Sequence, residues 1–304
     1  MTRDPDRNAA DKTERIRVRR EWVGAPKGTL TNPTCWLALL VIVALTATSA
    51  AYLAGAVHAA VAVVLNAVAI YLAFTVMHES MHGVAHENRR VNAWLGRPMG
   101  FALTISAPLF RGVHYEHHSH TNDTERDPDL FVGHAPGWLA PFWGLAVVFE
   151  YRRHYFGRKL WRNRQDLAET IAVELATAGI VAVAIATGHF MTVVTLWLLP
   201  ALLAVAFLVF AFDYLPHYPY DSAERYHDTR VYPGNAAFVL LLGQNYHLIH
   251  HLWTTVPWFR YRQVFDEIRP QLEARGARIG WRVDGARPAP PRTESGDALL
   301  GRAA

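Results

Sequence analysis

Apolar residues gather in two long windows of the chain, with polar residues concentrated in the three segments around them. The first window divides at Gly55-Ala56-Val57-His58 into apolar stretches over about 35–56 and 59–77. The second divides at Thr187-Gly188-His189 into stretches over about 171–186 and 190–212. A stretch of about 20 residues, rising about 1.5 Å per residue, crosses a hydrocarbon core about 30 Å thick. The pattern predicts an all-α integral membrane protein with four transmembrane helices in two tight hairpins. Between the hairpins, residues 92–110 and 136–149 are apolar but broken by Gly and Pro, which predicts interfacial or re-entrant helices. The division expected is a cytoplasmic N-terminal segment over 1–34, a membrane domain over 35–284 and a tail over 285–304. Both ends, rich in charge, Pro and Gly, are expected to be mobile.

Charge sharpens this picture. The 304 residues are 51% apolar and 18% charged, too apolar for a disordered chain, and the mean hydropathy of +0.05 averages two regimes. Of the 30 Lys and Arg, eight precede residue 28, eleven lie between Arg89 and Arg164, and eleven lie from Arg225 onward. The two apolar windows hold none, so every basic residue falls on the side that also carries both termini. That side is expected to be the cytoplasm, and in a bacterium the membrane is the inner one. Attraction to anionic headgroups accounts for the net charge of +4, so no nucleic-acid partner is expected. The first apolar run is preceded by 34 residues with five acids and is too long for a signal-peptide core, so no cleavage is expected. The lone Cys35 allows neither an internal disulfide nor a fused iron–sulfur domain.

Histidine carries the candidate chemistry. Nine of the 16 His fall in three tight groups. His78, His82 and His86 are four residues apart, so on a helix continuing from the second span they share a face. His114, His117 and His118 follow an i, i+3, i+4 pattern, and His247, His250 and His251 repeat it. His217 stands just after the fourth span with Asp213 four residues before it. So many imidazoles at the span ends of one side imply more than one metal, because zinc is saturated by four ligands whereas two irons would use them all.

The segments His78-Glu-Ser-Met-His82, His114-Tyr-Glu-His-His118 and His247-Leu-Ile-His-His251, together with two hairpins of spans, resemble the three histidine boxes of the membrane fatty-acid desaturase and hydroxylase superfamily. The resemblance covers roughly residues 35–265. In detail, HESMHGVAHENRRVNAWLGR, HYEHHSHTNDTERDPDLF and QNYHLIHHLWTTVPWFRY look like the bacterial β-carotene hydroxylase and ketolase branch, with the third box nearer the hydroxylases and desaturases. The resemblance implies a cytoplasmic helical cap holding two irons on His78, His82, His86, His114, His117, His118, His217, His247, His250 and His251. Asp213 stands where acyl desaturases carry an iron-binding Asn, either as a direct ligand or as a base orienting His217. The implied reaction is reductive activation of O2 and cleavage of an unactivated C–H bond to give an alcohol or, after a second abstraction, an alkene. The chain holds no dinucleotide fingerprint, so electrons must come from an external donor such as a ferredoxin, docking on the Arg-rich face. The substrate is expected to be a membrane lipid or carotenoid: a β-carotene-type ring hydroxylated in place, or a fatty-acyl chain desaturated or hydroxylated, with ketolation a further outcome.

Two other classes compete. The first box also spells HExxH, in which two His bind zinc and Glu79 activates water in a membrane metalloprotease. That reading leaves the other two boxes without a purpose and makes Glu79 a partner of a box histidine instead. A metal transporter would carry ligands near the middle of its spans, not at their ends. Among the remaining residues, His58 and His189 are expected to be polar turn residues, and His134, His154 and His227 surface or interfacial ones. His120 is expected to hydrogen-bond within the second box. Glu169 and Glu174 are expected to cap or pack helices. The acids of 123–129 are expected to fix the loop after the second box through turns and Arg pairs.

Overall fold

A computed structural model describes residues 15–280; residues 1–14 of the expected N-terminal segment and the tail expected over 285–304 lie outside the described residues. Helices α1 (Pro33–Leu53) and α2 (Ala59–Met81) form the first hairpin, followed by α3 (Arg89–Ala102), α4 (Ala107–Ser119) and α5 (Val147–Gly157). Helices α6 (Arg164–Ala186) and α7 (Phe190–His217) form the second hairpin, and α8 (His247–Leu252) and α9 (Tyr261–Glu273) complete a cap. The strands among the described residues are the short parallel pair β1 (Arg230–Val231) and β2 (Arg278–Ile279). Helices α1, α2, α6 and α7 are long and apolar enough to cross a membrane.

These helices outrun the apolar stretches. Helix α2 runs on to Met81 and carries His78, α6 begins at Arg164, and α7 continues to His217 through two π-helical turns. Hydropathy marks where lipid ends, but the backbone ladder does not stop there. Burial ranks the four. In their most apolar windows 44% of α2 and 33% of α7 is buried, against 11% of α1 and of α6, so α2 and α7 form the inner seam. Leu40, Ile42 and Val43 on α1 are each more than half exposed, an apolar face that lipid accepts and water does not.

Small residues draw the seam together. Ala73 of α2 packs in one cluster with Ala201 and Ala204 of α7, flanked by Ile70, Met77 and Leu208. Pro200 has no N–H for the Leu196 carbonyl one turn earlier. Asn66 of α2 supplies the missing donor, its Nδ2 lying 2.9 Å from that oxygen.

The end of α2 sets the entry to the cap. Gly83 lies at φ +74°, its N–H bonds to Ser80 O and that of Val84 to Glu79 O, which closes the helix at His82. Asn92 then pins the corner by accepting from the Ala85 and His86 N–H groups and donating to Ser80 O. Gly96 brings α3 so near α2 that a Cβ would lie 2.4 Å from Ser80 Oγ. The stretch expected over 92–110 is therefore two helices, α3 and α4, joined by a turn. The stretch over 136–149 is a short helix (Ala140–Trp143) and a 3-10 turn leading into α5, with Trp138 and Phe142 exposed. Glu169 and Glu174 serve packing: Arg97 grips both oxygens of Glu169 at 2.9 Å, and Arg152 Nε meets Glu174 at 3.0 Å, tying α3 and α5 to α6.

The cap has its own core, in which Leu248 and Ile249 of α8 pack with Val264, Phe265 and Ile268 of α9. Ile16, from the described part of the N-terminal segment, is buried in the same core.

Candidate metal centre

The ends of α2 and α7 and the faces of α4 and α8 meet between the membrane helices and the cap. Nine histidines form two groups there. His78, His82, His114, His118 and His250 present ring nitrogens within 4.8 Å of one another, and so do His117, His217, His247 and His251. Helical spacing explains the division. On α4, His114 and His118 are one turn apart and serve the first group, while His117 points to the second. On α8, His247 and His251 are one turn apart and serve the second group, and His250 serves the first.

The nitrogens meet edge to edge. His250 Nε2 lies 3.1 Å from His78 Nε2 and 2.9 Å from His118 Nε2, His118 Nε2 lies 3.0 Å from His114 Nε2, and His114 Nε2 lies 2.9 Å from His82 Nε2. In the second group His247 Nε2 lies 3.1 Å from both His217 Nε2 and His251 Nε2. Neighbouring ligand atoms at about 2.1 Å from one octahedral metal stand roughly 3 Å apart.

The outer ring nitrogens decide what those contacts are. His117 Nδ1 faces Asp127 Oδ1 at 2.8 Å and His247 Nδ1 faces Gln244 Oε1 at 3.2 Å, and both oxygens only accept. Thr121 donates to His117 O, which leaves its oxygen to accept from His251 Nδ1 at 3.4 Å. Each of these imidazoles therefore carries a proton on Nδ1, and His247 and His251 turn a bare Nε2 inward, whereas the carboxylates beside His117 favour a second proton that a metal would displace. Lone pairs facing at this distance repel, and a cation among them turns the repulsion into ligation. Two all-imidazole groups suit first-row metals such as iron, and nine ligands exceed what one metal takes.

The structure brings nine of the eleven candidate ligands together and leaves two outside. His86 does not reach either group, because Gly83 ends the helix that the four-residue spacing assumed. Its Nδ1 accepts from the Asn88 N–H at 2.9 Å and its Nε2 meets Thr29 Oγ1 at 3.2 Å. Asp213 lies outside both groups of nitrogens and does not pair with His217, whose Nδ1 has no partner; instead its Oδ1 accepts from Tyr220 Oη at 2.9 Å. Glu79 is fully buried, accepts the Trp258 N–H at 3.1 Å and lies 3.9 Å from His78 Nδ1, the place of an outer partner rather than of a water-activating base.

Sequence reasoning gave Asp127 and Asp129 a loop role alone and passed over Thr121, Gln244 and Tyr261. Asp127 does fix the loop, accepting from Asn122 N at 2.6 Å and Asp129 N at 2.9 Å, but it also holds His117, with Asp129 3.3 Å away. Tyr261 Oη meets His250 Nδ1 at 3.0 Å. The acid run after the second box was the available signal. His58 caps α2, His189 meets Thr187, and His120 bonds Glu116 O within its own helix. His134 is exposed and His227 partly so, whereas His154, expected to be a surface or interfacial residue, is buried beside Arg153 with 7% of it exposed.

Burial keeps most of these imidazoles neutral. His82 and His247 are pushed down to about 3, the second also by His117 nearby. His114, His118, His250 and His251 fall well below the imidazole range through burial first and neighbouring imidazoles second. His117 moves the other way: burial lowers it, but Asp127 and Asp129 outweigh burial and hold it at about 10. In metal-free protein the unfolded chain binds protons on the six lowered groups below about pH 6.5 that the folded chain refuses, so stability is lost as pH falls from there towards 3. The contribution of His117 has the opposite sign. It is fully present below about 6.5 and is lost as pH rises through its folded value of about 10. The expected result is an unfolding midpoint of the metal-free protein that drops below about pH 6.5, by roughly 1.4 kcal/mol per pH unit for each titrating group. Thermal unfolding in detergent reads it, and a midpoint unchanged between neutral pH and mild acid contradicts buried neutral clusters.

A cavity of about 860 Å³, measured to its open mouth, runs from the histidines along α7. Its lining includes His78, His117 and His217 of the two groups, the rings of Phe74, Phe110 and Phe212, and the aliphatic Ile105, Val148 and Val205. Val205 lies in the middle of a membrane-crossing helix, so the cavity reaches the level of the hydrocarbon. Phe74 stacks on His78 and Phe110 on His114, with ring centroids 5.6 and 5.0 Å apart, which keeps water from the imidazoles on that side.

The sequence pattern of the fatty acid desaturase family matches residues 54–283. A beta-carotene ketolase of Paracoccus sp. is 31% identical over 193 residues, which are 62% of this chain and 71% of the relative. A beta-carotene 4-ketolase of Protosiphon botryoides is 27% identical over 200 residues, and there the chain spans only 46% of the relative's length. A dihydrorhizobitoxine desaturase of Bradyrhizobium elkanii is 28% identical over 224 residues, 60% of that protein. The matched region runs from the first hairpin to the cap and contains every histidine of both groups, and on that ground the chain belongs to the fatty acid desaturase family.

Proposed function

We propose that the chain oxidises a ring C–H bond of a β-carotene-type lipid, with hydroxylation as the first product-forming step. The observation that carries this reading is the cavity, which joins both histidine groups to the level of the hydrocarbon through an apolar wall. Among the described residues Arg152 is the one Lys or Arg on that wall, which also carries Asp129 and Asp213, and it is already engaged by Glu174, Val148 O and Thr104 O. A bare hydrocarbon ring asks for no charged anchor, whereas an acyl chain on a carrier does. The ketolase relatives support the same substrate class.

Two irons held by the nine imidazoles would supply reductive activation of O2 strong enough to cleave an unactivated C–H bond. The chain does the rest. Asp127, Gln244 and Thr121 hold imidazole protons on the outer nitrogens so that Nε2 stays free for metal. Phe74, Phe110 and Phe212 exclude water and fix where the substrate carbon stops. One oxygen atom enters the C–H bond and the other leaves as water, which consumes two electrons and two protons. A small acidic one-electron donor protein of the ferredoxin kind supplies the electrons, docking where His82, His118 and His251 reach the surface beside exposed Tyr115, with Arg111 and Arg162 near it. The gathering of Lys and Arg on the side that carries both termini supports a cytoplasmic cap and spans in the inner membrane.

A fatty-acyl substrate is the second reading, supported by the match to the fatty acid desaturase pattern, and the dihydrorhizobitoxine desaturase of Bradyrhizobium supports desaturation as the reaction. The test is mass spectrometry of carotenoids and fatty acids from a β-carotene-producing bacterial host, with a donor protein supplied and a His117→Ala chain as control. Carotene that gains one oxygen establishes the hydroxylase step, and carotene that gains an oxygen while losing two hydrogens establishes ketolation. Acyl chains short of two hydrogens move the assignment to desaturation, and unaltered carotene with altered acyl chains overturns the carotenoid reading.

A further inference from the structure

Gln244 sits in the 3-10 turn that leads into α8, three residues before His247, and is 98% buried in the sense that only 2% of it is exposed. Its amide orientation is set by chemistry. His247 turns Nε2 towards His217 and His251, so Nδ1 carries the proton, and the atom facing it must be the acceptor, Gln244 Oε1, at 3.2 Å. The Nε2 amide group is left over. It is buried, has no hydrogen-bond partner and belongs to a residue that borders the cavity. Buried amides without partners are rare, and one beside a reaction cavity calls for a ligand acceptor. His217 Nδ1, on the same cavity, is also buried and unpartnered, and it becomes a second N–H donor once its Nε2 faces the metal position. The cavity wall also carries the carboxylates of Asp129 and Asp213, but Gln244 Nε2 and His217 Nδ1 bond to neither, so the protein does not supply the oxygen they await.

We propose that Gln244 donates to an oxygen on the substrate ring, so that the centre holds a ring already bearing a hydroxyl or keto oxygen in preference to the bare hydrocarbon. The inference rests on the carotenoid reading above and deepens it. An alcohol made at the centre leaves its oxygen beside the metal ligands, within reach of a group that touches His247. Held there, the same carbon presents its second C–H bond. That bond breaks, a second oxygen atom from O2 enters, and the resulting diol loses water to give a ketone. The step uses one O2, two electrons from the donor protein and two protons, and it releases two waters in all.

The test measures binding of β-carotene, its ring mono-alcohol and its ring mono-ketone to the full chain, loaded with iron, in detergent and without reductant, read by quenching of tryptophan fluorescence. Wild type is expected to bind the two oxygenated rings roughly 3- to 10-fold more tightly than β-carotene, the range of one or two net hydrogen bonds. Gln244→Glu keeps an acceptor for His247 and replaces the free donor with oxygen, so it is expected to remove the preference while iron per chain stays unchanged. Gln244→Met is the second variant and is expected to remove it as well. In turnover both variants shift products from ketone towards alcohol, a ratio that a purely structural loss does not move. Equal binding of all three rings by wild type overturns the proposal whether or not either variant folds, since it means that water alone satisfies the amide. A preference that survives in a folded variant overturns it too. Failure of wild type to bind any of the three removes the carotenoid reading and this inference with it, whereas β-carotene bound without preference removes only the inference.

Discussion

Replacing His250 by Ala is expected to abolish turnover and to lower iron from two per chain towards one. His250 is the hub of the five-histidine group, its Nε2 meeting both His78 at 3.1 Å and His118 at 2.9 Å, and it comes from the cap whereas those two come from α2 and α4. Its loss therefore removes a ligand and also the one imidazole that ties that metal position to α8. The effect should exceed the roughly 10- to 100-fold cost of losing an outer partner of a ligand. The second group keeps all four of its histidines, so iron should not fall to zero. His86→Ala is the contrasting variant. Its ring is engaged by Thr29 and the Asn88 N–H, so it is expected to lose some stability at the N-terminal segment while keeping two irons. Metal analysis of the purified chains reads both results. Two irons in the His250 variant, or one in the His86 variant, would overturn the ligand assignment.

The contrast between these residues shows where the sequence could be read and where it could not. Spacing on α4 and α8 was enough to place six box histidines, because a helix of known pitch puts i, i+3 and i+4 on one side. The pitch pairs the residues one turn apart and sets the third apart, but it could not say which histidines of α4 share a group with which of α8, since that depends on how α8 is set against α4, and no local pattern encodes a packing angle. His86 shows the complementary failure. Its four-residue spacing was legible, but Gly83 followed the last helical turn and took the left-handed conformation that ends a helix. The spans were legible as apolar runs, yet their true ends, at Met81, Arg164 and His217, lay in polar sequence where hydropathy is silent. Asp213 was visible as a carboxylate one turn before His217, but side chains so spaced can point to different neighbours, and Tyr220 claims this one.

The scaffold accounts for why the chemistry sits at span ends. A polar cluster at the bilayer middle would face lipid on the outer helices α1 and α6, which bury little of themselves. Only α2 and α7 form a protein-lined seam, and only beyond their apolar windows does the cap supply the remaining ligands. The cavity then follows the same seam from the cap into the hydrocarbon, so a substrate dissolved in lipid need not cross water to reach the histidines.

Asp127 is the residue whose weight the sequence concealed, and Asp127→Ala is expected to lower iron affinity and turnover by about 10- to 100-fold, with the loss confined to the second group. One oxygen of Asp127 accepts from His117 Nδ1 at 2.8 Å and from the Asp129 N–H, and the other accepts from the Asn122 N–H at 2.6 Å. Alanine removes all three bonds from a fully buried site, and the imidazole is then free to rotate or to move its proton to Nε2, where metal must bind. Asparagine does not rescue it. Whichever way the amide turns, its NH2 faces either the His117 Nδ1–H or the Asn122 N–H, and an unsatisfied buried donor costs about 1–3 kcal/mol. Glutamate keeps the charge but carries an extra methylene into a packed loop, so it should fall between wild type and alanine. Titration of the metal-free variants with Fe(II), counted per chain, separates the outcomes. One tight and one weakened site supports the orienting role, two weakened sites point to general unfolding of the cap, and two tight sites with full turnover would show that His117 needs no partner to present its nitrogen.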